Sequence, residues 1–144
     1  MNILFLCTGN SCRSQMAEGW AKKFKPDRFQ IQSAGIEAHG KNPHAIAVMK
    51  EMGIDISQQE STKLNENILA STDYLVTVCS HAEKYCPDLP AKIKKEHWPL
   101  FDPAKAAGSD DEIINAFRAS RDDIRSRIAE LFTRLGSISN KTGI

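Results

Sequence analysis

The chain has 144 residues, 41% of them hydrophobic, with 19 Lys and Arg against 18 Asp and Glu. That is the size of one globular domain with a single core, expected over residues 1–136 and as a monomer. Balanced charge excludes the broad basic field that binds nucleic acid or anionic membrane, so any anion must be held by a local site. The N-terminal residues lack a basic n-region and no segment reaches the roughly 20 apolar residues of a membrane span, so a cytoplasmic protein is expected.

Asn2 to Leu6 is a short apolar run read as a strand. It stops at Cys7-Thr8-Gly9, and from Ser14 to Phe24 the residues Met16, Ala17, Trp20 and Phe24 recur at helical spacing. Arg28 to Ser33 alternates Phe29 and Ile31 with polar neighbours, a second strand ending at Ala34-Gly35. A helix begins near Pro43, capped by Asn42, and ends before Gly53. A polar connection, Asp55 to Thr62, leads to a short helix around Asn65 to Ala70 and a buried strand, Tyr74 to Val78. Ser80 to Cys86 can form one or two helical turns stopped by Pro87, and Lys95 to Trp98 is a weaker strand candidate. The last long helix, from about Asp110 to Leu135, carries Ile113, Phe117, Ile124, Ile128, Leu131 and Leu135 on one stripe. Gly136 ends it, and residues 137–144 form a small polar tail expected to fray. Strands alternating with helices predict a three-layer α/β/α domain around a four-stranded parallel sheet.

Four cysteines, Cys7, Cys12, Cys79 and Cys86, are not expected to form a permanent disulfide framework in a reducing compartment. Their gaps, C-x4-C and C-x6-C, and the scattered His39, His44, His81 and His97 do not match the close pairs of structural zinc sites. Reactive thiols remain.

The segment Cys7-Thr8-Gly9-Asn10-Ser11-Cys12-Arg13-Ser14 has the pattern Cys-x5-Arg-Ser between a strand and a helix. In an open α/β sheet that place offers unpaired helical N–H groups and a positive dipole end to an anion. A loop of this length can curl until its N–H groups converge, with Gly9 and Asn10 suited to left-handed backbone angles. Arg13 supplies a planar fork for two oxygens of a tetrahedral oxyanion, and the Ser14 hydroxyl can donate to the Cys7 sulfur. In that field Cys7 is expected to ionise below the ordinary thiol value and act as a nucleophile. The bland alternative is a buried strand-end cysteine, which the coincidence with Arg13 and Ser14 disfavours.

The loop from Cys7 to Gly19 resembles that of the thioredoxin-coupled arsenate reductases, which share the low-molecular-weight tyrosine phosphatase fold. The resemblance continues through Ser33 to Gly40, Asn42-Pro43, Gly53 to Ser57, the Cys79 to Cys86 segment, Glu96-His97-Trp98, Asp102-Pro103-Ala104 and Phe117-Arg118 with Arg121-Asp122. It implies reduction of arsenate to arsenite, a detoxification step, with no cofactor and with phosphate or sulfate as competing anions. It further implies that Cys7 attacks arsenic, Asp102 protonates the departing oxygen, Cys79 attacks Cys7 and Cys86 attacks Cys79, with thioredoxin reducing the final pair. Asp102 could instead only cap the turn at Pro103. A helical 80–86 segment would separate the Cys79 and Cys86 Cα atoms by about 10 Å, beyond the roughly 7 Å a disulfide spans. Joining them therefore requires that helix to unwind.

Cys12 either packs beneath the loop, the favoured reading, or forms a protective disulfide with Cys7, as its counterpart can in the phosphatases. Asn10, Ser33 and Glu18 resemble positions that hold a monovalent cation in some family members, but Thr62 stands where those members carry an acid. Phe101 likewise replaces the first of two adjacent acids before Pro103. The main alternative function is a low-molecular-weight protein tyrosine phosphatase, against which stands Ala104-Lys105-Ala106 in place of a tyrosine pair. Weak phosphatase activity is expected on either reading. A non-catalytic arsenite or metal sensor with thiolate ligands is a third class.

Overall fold

A computed structural model describes residues 1–79 and 92–142, the side chains of 136–142 excepted. Its elements are β1 (Asn2–Cys7), α1 (Arg13–Phe24), β2 (Gln30–Gly35), α2 (Pro43–Lys50), α3 (Glu66–Ser71), β3 (Tyr74–Thr77), β4 (Lys94–His97), a single 3-10 turn (Pro103–Lys105) and α4 (Asp110–Thr142). The expected helical turns at Ser80 to Cys86 lie outside the described residues, as does Cys86 itself.

The four strands form one parallel sheet in the order β2-β1-β3-β4. The two central strands are the most apolar, and from Ile3 to Cys7 and Tyr74 to Thr77 every residue is buried. Burial on successive, oppositely directed side chains means that layers cover both faces of the sheet, as the continuous apolar runs require. The polar sequence Lys94-Lys95-Glu96-His97 is tolerated because β4 is an edge. That polarity made it a weak strand in the sequence, and the observed strand starts one residue earlier than the pattern suggested.

The helical stripe of α4 is buried as its period predicts, with Phe117, Ile124, Ile128 and Leu131 at 0% exposure. Phe132 meets Phe29 edge-on at 5.4 Å, and the Trp20 indole of α1 donates to the Arg121 carbonyl of α4 at 3.1 Å. α4 runs on past Gly136 to Thr142. A helical glycine costs only about 1 kcal/mol relative to alanine, and no proline follows to force a stop.

Asn42 caps α2 as expected, its side-chain oxygen accepting from His44 N–H at 2.8 Å. Gly53 beyond that helix has the left-handed φ of 77°. Asn65 likewise caps α3 through Ile68 N–H.

Candidate active site

β1 delivers Cys7 to the carboxyl edge of the sheet, and α1 starts at Arg13, so residues 8–12 must turn the chain within five positions. Every carbonyl of this turn is occupied. Cys7 O accepts from Ile36 N–H at 3.1 Å, Thr8 O from Glu37 at 2.9 Å, Gly9 O from His39 at 2.9 Å and Ser11 O from Asn42 at 3.0 Å. Asn10 O accepts from Gln15 Nε2 at 3.2 Å and Ser61 Oγ at 3.1 Å, and Cys12 O takes the first α1 bond from Met16. In a trans peptide the N–H points opposite to the carbonyl. Carbonyls tied outward to residues 36–42 and 61 therefore turn the Thr8 to Arg13 amides to the loop's other side, where an anion would sit.

Asn10 anchors the turn. It is fully buried with φ 47°, the left-handed value expected for it, whereas Gly9 is needed for a different reason. A Cβ on Gly9 would lie 2.5 Å from His39 Nδ1, so glycine there permits close approach of the His39 ring. Asn10 Nδ2 donates to Ser14 Oγ at 2.8 Å and Ser33 Oγ at 2.9 Å, while Oδ1 accepts from Thr62 N–H at 2.7 Å and Gln15 Nε2 at 3.1 Å. Because the Asn10 amide fills an acceptor site on each hydroxyl, both serine protons are free to point elsewhere. Ser14 donates to Cys7 and Ser33 donates to the Glu18 carboxylate.

Cys7 is almost fully buried and is held well below the ordinary thiol value. The largest cause is a hydrogen bond from the Cys79 thiol, followed by burial acting in the opposite sense, then the Arg13 charge, the Ser14 hydroxyl and the Gly9 N–H. Cys79 also lies 3.2 Å from Thr8 Oγ1. When the Cys79 thiol donates to the Cys7 thiolate, the Thr8 hydroxyl is the group that can donate to the Cys79 sulfur.

Arg13 is buried, its NH1 donating to Leu100 O at 3.2 Å and its NH2 3.4 Å from Asp102 Oδ2. Its Nε has no hydrogen-bond partner among the described residues. A buried guanidinium N–H in that state is a donor that an oxyanion would satisfy. Asp102 Oδ1 accepts from Ala104 N–H at 3.0 Å, capping the 3-10 turn, so Asp102 makes the cap contact and faces the site as well. These groups line a cavity of about 700 Å³ together with Ser11, Cys12, His39, Phe101 and Lys105. Sequence reasoning did not single out His39 or Lys105 as site residues, since neither has a spacing signal; β2 and the turn after Phe101 bring them in.

Asn10, Ser33 and Glu18 are brought together as anticipated, but the Glu18 carboxylate also holds the Lys22 ammonium at 2.5 Å, one helical turn along α1. No cluster of three or more His, Cys, Asp or Glu that could hold a metal occurs among the described residues, and none of their helices is long and apolar enough to cross a membrane.

The profile of the low molecular weight phosphotyrosine protein phosphatases matches residues 2–141. The chain belongs to that family. Within the phosphatase family it is 54% identical to an arsenate reductase from Halalkalibacterium halodurans over 126 residues, 88% of this chain and 91% of that one. The solved structure of an arsenate reductase in the oxidized state has a TM-score of 0.79 at 33% identity, covering 92% of this chain and 97% of its own. An arginine phosphatase from Geobacillus stearothermophilus has a TM-score of 0.83 at 25% identity, covering 97% and 96%. One family fold thus carries proteins of both names, and the fold alone does not separate them.

Proposed function

We propose that this protein is an arsenate reductase whose electrons pass through Cys7, Cys79 and Cys86 in turn. The observation that carries the reading is the Cys79 thiol against Cys7, a second sulfur a phosphatase has no step for. The relatives named arsenate reductase support the arsenate reductase part of the reading.

Arsenate docks against the inward N–H groups and Arg13. The Cys7 thiolate bonds to arsenic, and Asp102 protonates the oxygen that leaves as water. Arg13 is paired with Asp102 before the anion arrives; transfer of the guanidinium to the oxyanion brings the carboxyl beside the oxygen it protonates. Cys79, its sulfur supported by the Thr8 hydroxyl, then attacks the Cys7 sulfur. An S–S bond forms, the S–As bond breaks, and its electron pair reduces As(V) to As(III), which departs as arsenite. Cys86 attacks Cys79 and frees the Cys7 thiolate. A dithiol partner of the thioredoxin class supplies two electrons to the Cys79–Cys86 disulfide. The role in the cell that follows is arsenic detoxification in the cytoplasm.

The second reading, a phosphatase, is favoured by the cavity volume, which exceeds the needs of a bare oxyanion, and by the likeness to the arginine phosphatase. The two are separated by following arsenate-dependent NADPH oxidation with thioredoxin and thioredoxin reductase, in wild type and Cys86→Ser. Sustained turnover that falls to a single event in the variant supports the relay. No arsenate-dependent oxidation, with brisk hydrolysis of aryl phosphate, overturns it in favour of the phosphatase.

A further inference from the structure

Cys12 has no step in the scheme above, yet it is buried like Cys7 and its sulfur does not simply face apolar packing. Cys12 Sγ lies 3.7 Å from Asp102 Oδ1, within range of an S–H···O hydrogen bond across ninety residues of chain. The same Oδ1 accepts the Ala104 N–H at 3.0 Å, whereas Oδ2 is the oxygen 3.4 Å from Arg13. The two carboxyl oxygens are therefore not equivalent. One is engaged by two donors, the Cys12 thiol and the Ala104 N–H; the other faces Arg13, the group proposed to bind the oxyanion.

We infer that Cys12 is a positioning residue for the acid: its thiol, with the Ala104 N–H, fixes Oδ1, so that Asp102 carries and delivers its proton from Oδ2. This rests on the reading of Asp102 as the acid in the first step. The thiol suits this role because it remains a donor at working pH. Burial, then the Asp102 and Cys7 charges, push its ionisation up to about 12. A thiolate at position 12 would instead repel the carboxylate and compete with Cys7. The placement follows from the loop, since Cys12 immediately precedes α1 and makes no side-chain cap to that helix, leaving its sulfur available to the Asp102 turn.

The test is a double-mutant cycle on the first chemical step, measured by stopped flow as the loss of Cys7 thiolate absorbance on mixing with saturating arsenate without thioredoxin. Wild type, Cys12→Ala, Cys12→Ser, Asp102→Asn and the Cys12→Ala/Asp102→Asn double variant are compared, with phosphate affinity measured by calorimetry to report on the loop. Cys12→Ala is expected to slow the step about three- to tenfold, the size of one hydrogen bond. Cys12→Ser recovers part of that loss, phosphate affinity changes less than twofold, and the alanine substitution has no further effect in the Asp102→Asn background. An equal slowing in both backgrounds, or none in wild type, overturns the positioning role and leaves the acid standing. An unchanged rate in Asp102→Asn alone overturns the acid and the positioning role together.

Discussion

Cys79→Ala removes the largest single contribution to the low ionisation of Cys7 while leaving Arg13, Ser14 and the Gly9 N–H in place. A hydrogen bond to a charged acceptor contributes about 1.5–3 kcal/mol, and a thiol is a weak donor, so the lower end applies. An energy of about 1.4 kcal/mol is a factor of about ten in the thiolate fraction, so losing this bond moves the Cys7 ionisation upward. The assay is iodoacetamide alkylation of Cys7 across pH, without arsenate, with the modified residue identified by mass spectrometry. The alkylation rate rises with pH through the ionisation midpoint. On the acid side of that midpoint Cys79→Ala therefore reacts about tenfold more slowly than wild type. Superimposable pH curves for wild type and Cys79→Ala would show that the two thiols are not paired, and the structural basis for direct attack of Cys79 on the Cys7 sulfur would fall with that pairing.

Asn10→Ala removes four hydrogen bonds at a fully buried position and places alanine at a left-handed φ. The expected loss is about 3–5 kcal/mol in urea denaturation, and a loss below about 1 kcal/mol would contradict the anchoring role. A Cβ at Gly35 would meet Glu37 O at 2.3 Å and Asn10 N at 2.6 Å, both backbone atoms that hold the loop. Gly35→Ala should weaken phosphate binding by about tenfold or more in calorimetry, because close-packed backbone cannot yield locally; unchanged affinity would show that the loop tolerates the shift. Lys22 already supplies a cation to Glu18. Wild type should therefore melt at the same temperature in potassium and sodium chloride, while Lys22→Met gains stability from one of these ions; a wild-type preference for potassium would show that Lys22 does not fill that role.

The loop was legible because its pattern is local: thiol, left-handed Asn10, guanidinium and hydroxyl all fall within eight consecutive residues. The stripe of α4 and the cap at Asn42 were legible for the same reason, each being a short-range pattern. What could not be read were contacts set by topology. Nothing in Ile36 to Asn42 announces that its N–H groups hold the loop carbonyls, and nothing in Thr8 announces a sulfur from beyond β3. The end of α4 was misjudged because Gly136 is a weak stop when no left-handed turn or proline follows it. Asp102 posed a choice between cap and acid that composition could not settle; one of its oxygens makes the cap contact and the other faces Arg13, so the cap does not exclude the proposed acid role.

The register of β1 on β3 pairs Leu6 with Thr77, so the chain leaves both strands at one level of the sheet. Cys7 is the residue after Leu6 on one strand and Cys79 lies two beyond Thr77 on the other. Strand pairing thus works as a ruler that sets the gap between the thiols, independently of the anion loop. A scaffold built for ester hydrolysis could gain a redox partner by one substitution at the tip of the neighbouring strand, without remodelling its oxyanion cradle. The same ruler makes the spacing sensitive to length: a residue inserted after Thr77 would add up to about 3.3 Å of chain between the strand end and the second sulfur.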